Sequence, residues 1–239
     1  MDSSHVTQHI SRQFNEELEN VRQRVLAMGG LVEEQIGAAL AALVNFDTDG
    51  AQAVIRRDEE GDTFEVEIDA QCTKILAKRQ PAAGDLRLIV AILKTITDLE
   101  RIGDEAEKIA RMSLHIAETS DPSRPVRQHY GAVNHMGQHV KNMLHQTLDA
   151  FARMDVGTAI QTVKDERQSD AEYDAISRQI LTYMLENPRN ISPGLDVMWS
   201  ARALERIGDH ARNICEYVVY MVEGKDVRHT KIDQQDSAS

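Results

Sequence analysis

The sequence predicts an all-α protein, built from six long helices that form two tandem antiparallel three-helix bundles. The first observation behind this prediction is an internal repeat, because the hexapeptide LERIGD occurs at 99–104 and again at 204–209. A repeat spaced by 105 residues in a chain of 239 indicates two halves of one architecture. The second observation is that the five prolines fall in three places, which leaves long segments without helix breakers.

Three helices are predicted in the first half. Apolar side chains recur every three or four residues over 4–45, which is the period of an amphipathic helix. A second helix follows over 51–79, and Pro81 separates it from a third that begins at Asp85 and continues through the repeat. Gly29 and Gly30 lower the helix propensity of the first helix without ending it, and they would allow a neighbouring helix to approach closely. Short connections between such helices favour an antiparallel bundle.

The same pattern restarts in the second half, after a segment at 119–125 that contains two prolines and that we interpret as a linker. Three further helices are predicted, ending at about residues 154, 186 and 223, and turn residues separate them. A polar segment without an apolar stripe follows the last helix. The predicted units are a first bundle over 1–120, a second bundle over 126–224 and a flexible tail over 225–239.

The formal net charge of −12 limits the partners that this chain can bind. Proteins that bind nucleic acids neutralise phosphates with Lys and Arg, so no nucleic-acid partner is expected and a cationic ligand fits better. No apolar run approaches the roughly 18 residues of a membrane span, and the N-terminus lacks the features of a signal peptide, so we expect a cytoplasmic protein. Cys72 and Cys215 stand apart on apolar stripes and are expected to be reduced core residues.

Each half carries two pairs of acidic residues whose members are four positions apart. One pair lies inside the repeat, where Glu100 and Asp104 sit at the edge of the apolar face of their helix. The other pair, Asp58 and Asp62, lies on the preceding helix, where carboxylates replace apolar residues in the stripe. Both pairs have counterparts in the second half. The eight candidate metal ligands are Asp58, Asp62, Glu100, Asp104, Glu166, Asp170, Glu205 and Asp209.

Two points about these pairs stay open in the sequence. Asp165 and Glu166 are adjacent in the fifth helix, and either could be the first member of its pair. Ser169 stands where an acid would complete a pair beginning at Asp165, so Glu166 is preferred. The alternative for all four pairs is a solvated acidic face, with Arg101 and Arg206 forming ion pairs that contribute little when exposed.

Clustered carboxylates predict a bound cation. If the two helices of each half are neighbours, four or more carboxylates meet at one seam, and repulsion and desolvation oppose this unless protons or a cation are present. All-oxygen ligands suit Mg, Ca or Mn, and carboxylates between bundle helices also suit iron. The Glu-x-x-His pairs of di-iron bundles are absent, which argues against oxygen-activating chemistry.

Beyond the acidic pairs, the sequence offers one other candidate metal motif, a pair of histidines, and no catalytic motif. His135 and His139 have a zinc-ligand spacing, but the apolar face of their helix points almost the opposite way, which favours solvated histidines. The sequence contains no GxSxG motif, Walker loop or dinucleotide fingerprint. Neither a catalytic nucleophile nor an organic cofactor is therefore indicated.

The chain resembles the PhoU family of phosphate-signalling regulators over about residues 5–229. The resemblance is carried by the paired LERIGD elements, by DLRLI at 85–89, by IGDEAEKIA and IGDHARNI, and by the six-helix repeat. It implies a cytoplasmic homodimer that binds multinuclear metal clusters through E(D)xxxD motifs. It also implies repression of the phosphate-starvation response, by linking the phosphate-specific ABC transporter to a membrane sensor histidine kinase.

The expected function is thus that of a non-enzymatic negative regulator of phosphate uptake. The resemblance implies that the eight acidic residues hold divalent or trivalent metal ions, namely Fe, Mn, Mg or Zn, in each bundle. The expected partners are the ATPase subunit of the transporter, the sensor kinase and a second copy of the chain, with membrane contact only through partners. The alternatives are a metal-dependent hydrolase that activates water with the same carboxylates, and a plain helical scaffold.

Overall fold

The computed structural model describes residues 3–119 and 127–227, and this part of the chain is all-α, with no strand. Six helices and one 3-10 turn follow one another in the order expected for two three-helix repeats. The helices are α1 (Ser3–Asn45), α2 (Thr48–Arg79), α3 (Ala83–Thr119), α4 (Arg127–Arg153), α5 (Val156–Glu186) and α6 (Ile191–Glu223), and the turn at Pro188–Asn190 precedes α6. The predicted fold class is confirmed.

In both halves the second helix begins in the same way, with an aspartate N-cap that follows a residue of left-handed backbone conformation. Asp47 is the N-cap of α2, and its carboxylate accepts a hydrogen bond of 3.0 Å from the backbone N–H of Gly50. Asp155 caps α5 in the same way, accepting from the N–H of Thr158 at 3.2 Å. The residue before each cap has a left-handed backbone, with φ of 58° at Phe46 and 54° at Met154. The internal repeat therefore extends to the turns.

Each half is a bundle in which all three helices contact one another, and the halves meet through α3 against α6 and α1 against α4. The buried apolar side chains of both halves form one continuous core. A Cβ added to Gly29 would lie 2.4 Å from a Leu148 methyl carbon, and one added to Gly137 would lie 2.4 Å from a Leu40 methyl carbon. These two glycines set the close, antiparallel approach of α1 and α4, as expected for Gly29.

Residues 12–45 of α1 are long and apolar enough to cross a membrane, judged by length and composition alone, and no other helix in the described ranges is. The expectation that no stretch reaches this threshold was therefore wrong. More than half of the most apolar part of this helix, 56%, is buried inside the protein. A core helix passes the same test, so this composition is weak evidence for a membrane span.

The predicted linker and tail lie mostly outside the described residues, which end at Thr119 and resume at Arg127, and end again at Val227. Val227 itself is 5% exposed and packs against the core. Both Cys72 and Cys215 are buried free thiols, which confirms the expectation of reduced core residues.

Candidate metal centres

The eight predicted ligands lie along two helix–helix seams, one in each half. Asp58 and Asp62 lie on α2, which packs against α3, where Glu100 and Asp104 lie. Asp104 and Asp62 are close enough to Asp58 to contribute to its raised pKa. Asp62 is exposed and the other three are partly buried. This set of four carboxylates is called the first acidic cluster below.

The carboxyl groups of the first acidic cluster are held in an environment that disfavours their charge. Burial, followed by repulsion from Glu107 and Asp104, raises the pKa of Asp58 to about 6. Burial and then the neighbouring Asp104 also raise the pKa of Glu100. The pKa of Asp104 is raised by burial, although the Lys108 ammonium opposes this shift. The surroundings of these three carboxyl groups therefore disfavour their negative charge, and burial is the main cause.

A buried carboxamide faces the first acidic cluster from α1. Gln35 is 1% exposed, and neither its nitrogen nor its oxygen has a hydrogen-bond partner within the described ranges. A Cβ placed on Gly103 would lie 3.4 Å from the Gln35 oxygen Oε1 and 3.4 Å from Asp58 Oδ1. The bare backbone of Gly103 thus makes room for both side chains at one point. Such an orphaned polar group indicates a missing partner.

The second acidic cluster consists of Glu166 and Asp170 on α5 with Glu205 and Asp209 on α6. Burial is the largest cause of the raised pKa of Glu166, Asp170 and Glu205. For Glu166, which is 5% exposed, attraction to the Arg212 guanidinium partly offsets the effect of burial. This cluster therefore has the same kind of acids as the first but a different charge environment.

Arginines occupy the second acidic cluster. Arg212 Nη1 donates a hydrogen bond of 3.0 Å to Glu166 Oε1, and its Nη2 lies 3.5 Å from Asp209 Oδ1. Arg202 Nη1 donates to Glu205 Oε1 at 2.7 Å. Arg206, which the sequence offered as an ion-pair partner, instead binds Glu105 of the other half.

The structure places Glu166, and not Asp165, at the seam with α6. Asp165 accepts a hydrogen bond of 3.0 Å from Gln161 on its own helix. Ser169, three residues after Glu166, is 1% exposed and its hydroxyl has no hydrogen-bond partner in the part of the chain that the structure describes. That hydroxyl would lie 3.3 Å from a Cβ on Gly208, the counterpart of Gly103.

The donor chemistry of both clusters fits a hard cation, since carboxylate, carboxamide and hydroxyl oxygens are the ligands that such ions take. Within residues 3–119 and 127–227, no three His, Cys, Asp or Glu side chains are placed so that they could hold a metal ion together. The carboxylates would therefore have to rotate toward a bound ion. The assignment of the eight residues as metal ligands stays a prediction.

The histidines only partly follow the sequence analysis. His135 is 75% exposed, as expected for a solvated side chain. His139 is not solvated, because its side chain is 18% exposed and its Nδ1 lies 3.2 Å from Glu172 Oε2. The helix α5 covers this side of α4, which the periodicity of α4 alone did not show.

Sequence reasoning missed Gln35 and Arg212, the two side chains that distinguish the clusters. A single Gln among apolar residues, between Val32 and Ile36, was the available signal for the first. For the second, the signal was the repeat itself, in which Glu107 and Arg212 occupy equivalent places after LERIGD.

Comparison with known proteins places the chain in a family. The family model described as "PhoU domain" matches twice, at residues 25–113 and 133–218. The chain belongs to the PhoU family. These two PhoU matches cover α2 and α5 and most of α3 and α6, and they include both acidic clusters.

Several PhoU proteins align over nearly the whole chain. The phosphate-specific transport system accessory protein PhoU of Escherichia coli (strain K12) is 46% identical over 236 residues, covering 99% of this chain and 96% of that protein. A PhoU homolog of the same description from Pseudomonas putida is 51% identical over 224 residues, covering 94% of this chain and 86% of that protein.

Two solved PhoU structures share the fold. The crystal structure of PhoU from Pseudomonas aeruginosa superposes with a TM-score of 0.84 at 48% identity, covering 89% of this chain and 100% of that chain. The crystal structure of the phosphate transport system regulatory protein PhoU from Streptococcus pneumoniae gives a TM-score of 0.82 at 30% identity, covering 90% and 99%.

Proposed function

We propose that this PhoU-family protein is an accessory regulator of the phosphate-specific transport system that represses the phosphate-starvation response. The observation that carries the proposal is the full-length match to the Escherichia coli accessory protein, which spans 99% of this chain at 46% identity.

The regulator acts as a cytoplasmic homodimer that contacts the ATPase subunit of the phosphate-specific ABC transporter and a membrane sensor histidine kinase. It acts by binding and not by catalysis. Three cavities on the surface, of about 370, 520 and 300 Å³, are lined by residues other than the eight candidate ligands. The hydrolase alternative would require a concave pocket beside the carboxylates.

Metal ions, namely Fe, Mn, Mg or Zn, bind at the two acidic clusters of the regulator. The proposal is supported by the raised pKa values of Asp58, Glu100 and Glu166, since burial, and after it repulsion between neighbouring acids, disfavours their charged forms, which a bound ion would favour. A bound ion would neutralise the carboxylates and join α2 to α3, or α5 to α6. These residues would hold the ion, and the surface that partners contact would be organised by it.

A deletion strain tests the regulatory function. We expect a reporter driven by a phosphate-starvation promoter to be expressed at high phosphate when the gene is deleted, and to be repressed again when the wild-type gene is restored. A matched strain carrying His135→Ala, a change at an exposed position, should repress normally. Unchanged repression in the deletion strain would contradict the proposal, and turnover of a phosphate ester by the purified protein would support the hydrolase instead.

A further inference from the structure

The two acidic clusters differ in the charge that follows LERIGD. Glu107 of α3 and Arg212 of α6 stand three residues after the last residue of each copy, and they occupy equivalent places in the repeat. The residues one helical turn further along, Arg111 in α3 and Glu216 in α6, also have opposite charges. Arg111 pairs with Glu107, and Glu216 lies 3.9 Å from Arg212. At this position the first half therefore places a negative side chain next to its cluster, and the second half places a positive one.

In the described part of the chain, no cationic side chain contacts the carboxylates of the first acidic cluster. None of Asp58, Asp62, Glu100 and Asp104 has a Lys, Arg or His nitrogen within 4.0 Å in the described part of the chain. Glu107 lies close enough to Asp58 to repel its charge. Arg111 is 56% exposed and is bonded to Glu107, so it attracts the Asp58 charge from a distance and does not contact the cluster carboxylates.

The second acidic cluster has a cation built into it. The Arg212 guanidinium reaches Glu166 at 3.0 Å and Asp209 at 3.5 Å, from the position where Glu107 stands in the first half. With Arg202 on Glu205, three of the four carboxylates in this cluster have an arginine partner. A metal ion entering here would have to displace Arg212 from the two carboxylates that it bridges.

Each cluster also has a polar group that lacks a partner, and this group points to a ligand independently of the acids. In the first half it is the Gln35 carboxamide, which is 1% exposed and lies beside Asp58 at Gly103. In the second half it is the Ser169 hydroxyl, which is 1% exposed and lies beside Gly208. Both clusters thus offer an additional neutral oxygen, and the difference between them is one of charge.

We propose that the two clusters bind divalent cations with unequal affinity, the first cluster more tightly with Gln35 as an additional oxygen ligand, and the second more weakly because Arg212 competes with the ion. The proposal rests on the metal binding proposed above and deepens it. At intermediate metal concentration the first half would hold an ion while Arg212 still holds the second. A unit charge within a few ångströms of an ion in a protein is expected to change affinity by about tenfold or more.

Calorimetric titration of the metal-free, full-length protein with Mn²⁺ tests the inequality directly. We expect two classes of binding, separated by about tenfold or more in Kd. Glu100→Ala with Asp104→Ala should remove the tight class, and Glu205→Ala with Asp209→Ala should remove the weak class. A single class of equal sites would overturn the inequality alone, whereas the absence of any Mn²⁺ binding would overturn the proposed metal sites as well.

Reciprocal charge changes test the role of Arg212. Arg212→Glu should tighten the weak class by about tenfold and bring the two classes together, and Glu107→Arg should weaken the tight class by a similar factor. Arg178→Glu and Glu118→Arg make the same charge changes at exposed positions outside the clusters and should leave both classes in place. If Arg212→Glu fails to fold, Arg212→Gln replaces it, and a weak class that does not tighten in either variant overturns the competition.

The neutral oxygen ligands are tested separately. Gln35→Leu should weaken the tight class several-fold without changing the weak one, and Ser169→Ala should act only on the weak class. Equal effects of Gln35→Leu on both classes would indicate a general packing defect and would overturn the assignment of Gln35 as a ligand.

Discussion

Buried carboxylates occur on two sides of α3 and α6, and the two sides differ in whether these carboxylates are paired with a cationic side chain or a histidine. On the side where the halves meet, Asp98 lies 2.7 Å from His210 Nδ1, and Glu105 lies 2.9 Å from Arg206 Nε. Asp196 lies 2.9 Å from His115 Nδ1 in the same seam. All three acids are 3% exposed or less, and each has a partner on the other half.

On the opposite side, the same helices present the two acidic clusters. The first acidic cluster has no protein cation within 4.0 Å among the described residues, and the second is held by Arg212 and Arg202. The comparison shows that burial alone does not define the role of an acid in this fold. A paired carboxylate joins the halves, whereas an unpaired one leaves a charge that an external ion can neutralise.

The largest effect is expected from breaking the seam between the halves. His210→Ala would leave the Asp98 carboxylate, 3% exposed, with Asn213 at 3.3 Å as its remaining donor among the described residues. We expect the free energy of unfolding to fall by about 3 kcal/mol, because an uncompensated buried charge is costly. Urea denaturation measures this change.

The control for this variant is His135→Ala, at an exposed histidine that lies 3.7 Å from its carboxylate partner. It should change the free energy of unfolding by less than about 0.5 kcal/mol. Equal effects of the two variants would show that the paired seam contributes no more than a surface contact.

A smaller loss is expected from removing the cation of the second acidic cluster. Arg212→Ala in the metal-free protein would leave Glu166 buried without its guanidinium partner. Because the Arg212 side chain is 35% exposed, solvent reduces the cost, and we expect a loss of about 1 to 2 kcal/mol at neutral pH.

Arg111→Ala is the matched change in the first half. Arg111 is exposed, and its ion pair among the described residues is with Glu107 on its own helix, so its removal should cost less than about 0.5 kcal/mol. Thermal melts of both variants without metal would measure the difference, and a larger loss for Arg111→Ala would contradict the contrast between the clusters.

The smallest effect is a gain in stability. Asp58 has a pKa of about 6 in the folded protein against an ordinary value of 3.8. Between these values the folded protein keeps a proton that the unfolded chain has released, so its stability falls as pH rises. Asp58→Asn removes this penalty and should stabilise the metal-free protein by about 1 kcal/mol at pH 7.5, after allowance for solvent at this partly buried site.

The pH dependence provides the control for Asp58→Asn. The gain should shrink as pH is lowered through about 6 and disappear below about pH 4, where both states of the wild-type chain are protonated. Added Mn²⁺ should stabilise the wild-type protein more than the variant, since the variant lacks one carboxylate. A gain that is independent of pH would show that the effect does not come from the Asp58 charge.

Local patterns in the chain predicted its helices and the positions of its acids. The repeat and the spacing of apolar residues predicted the order and the type of the elements, because helical periodicity depends on neighbours within a few positions. The same helical period placed Asp58 with Asp62, and Glu100 with Asp104, on one face of each helix. It also ranked Glu166 above Asp165, in agreement with its burial against α6.

Partners on other helices could not be read from these patterns. His210 and Asp98 are 112 positions apart, and Arg212 and Glu166 are 46 apart. Gln35 and Asp58 both lie beside Gly103 because α1 packs against both α2 and α3. Whether a charge is paired depends on how each helix is rotated and which residues of its neighbours lie opposite, and both are set by packing of the whole core.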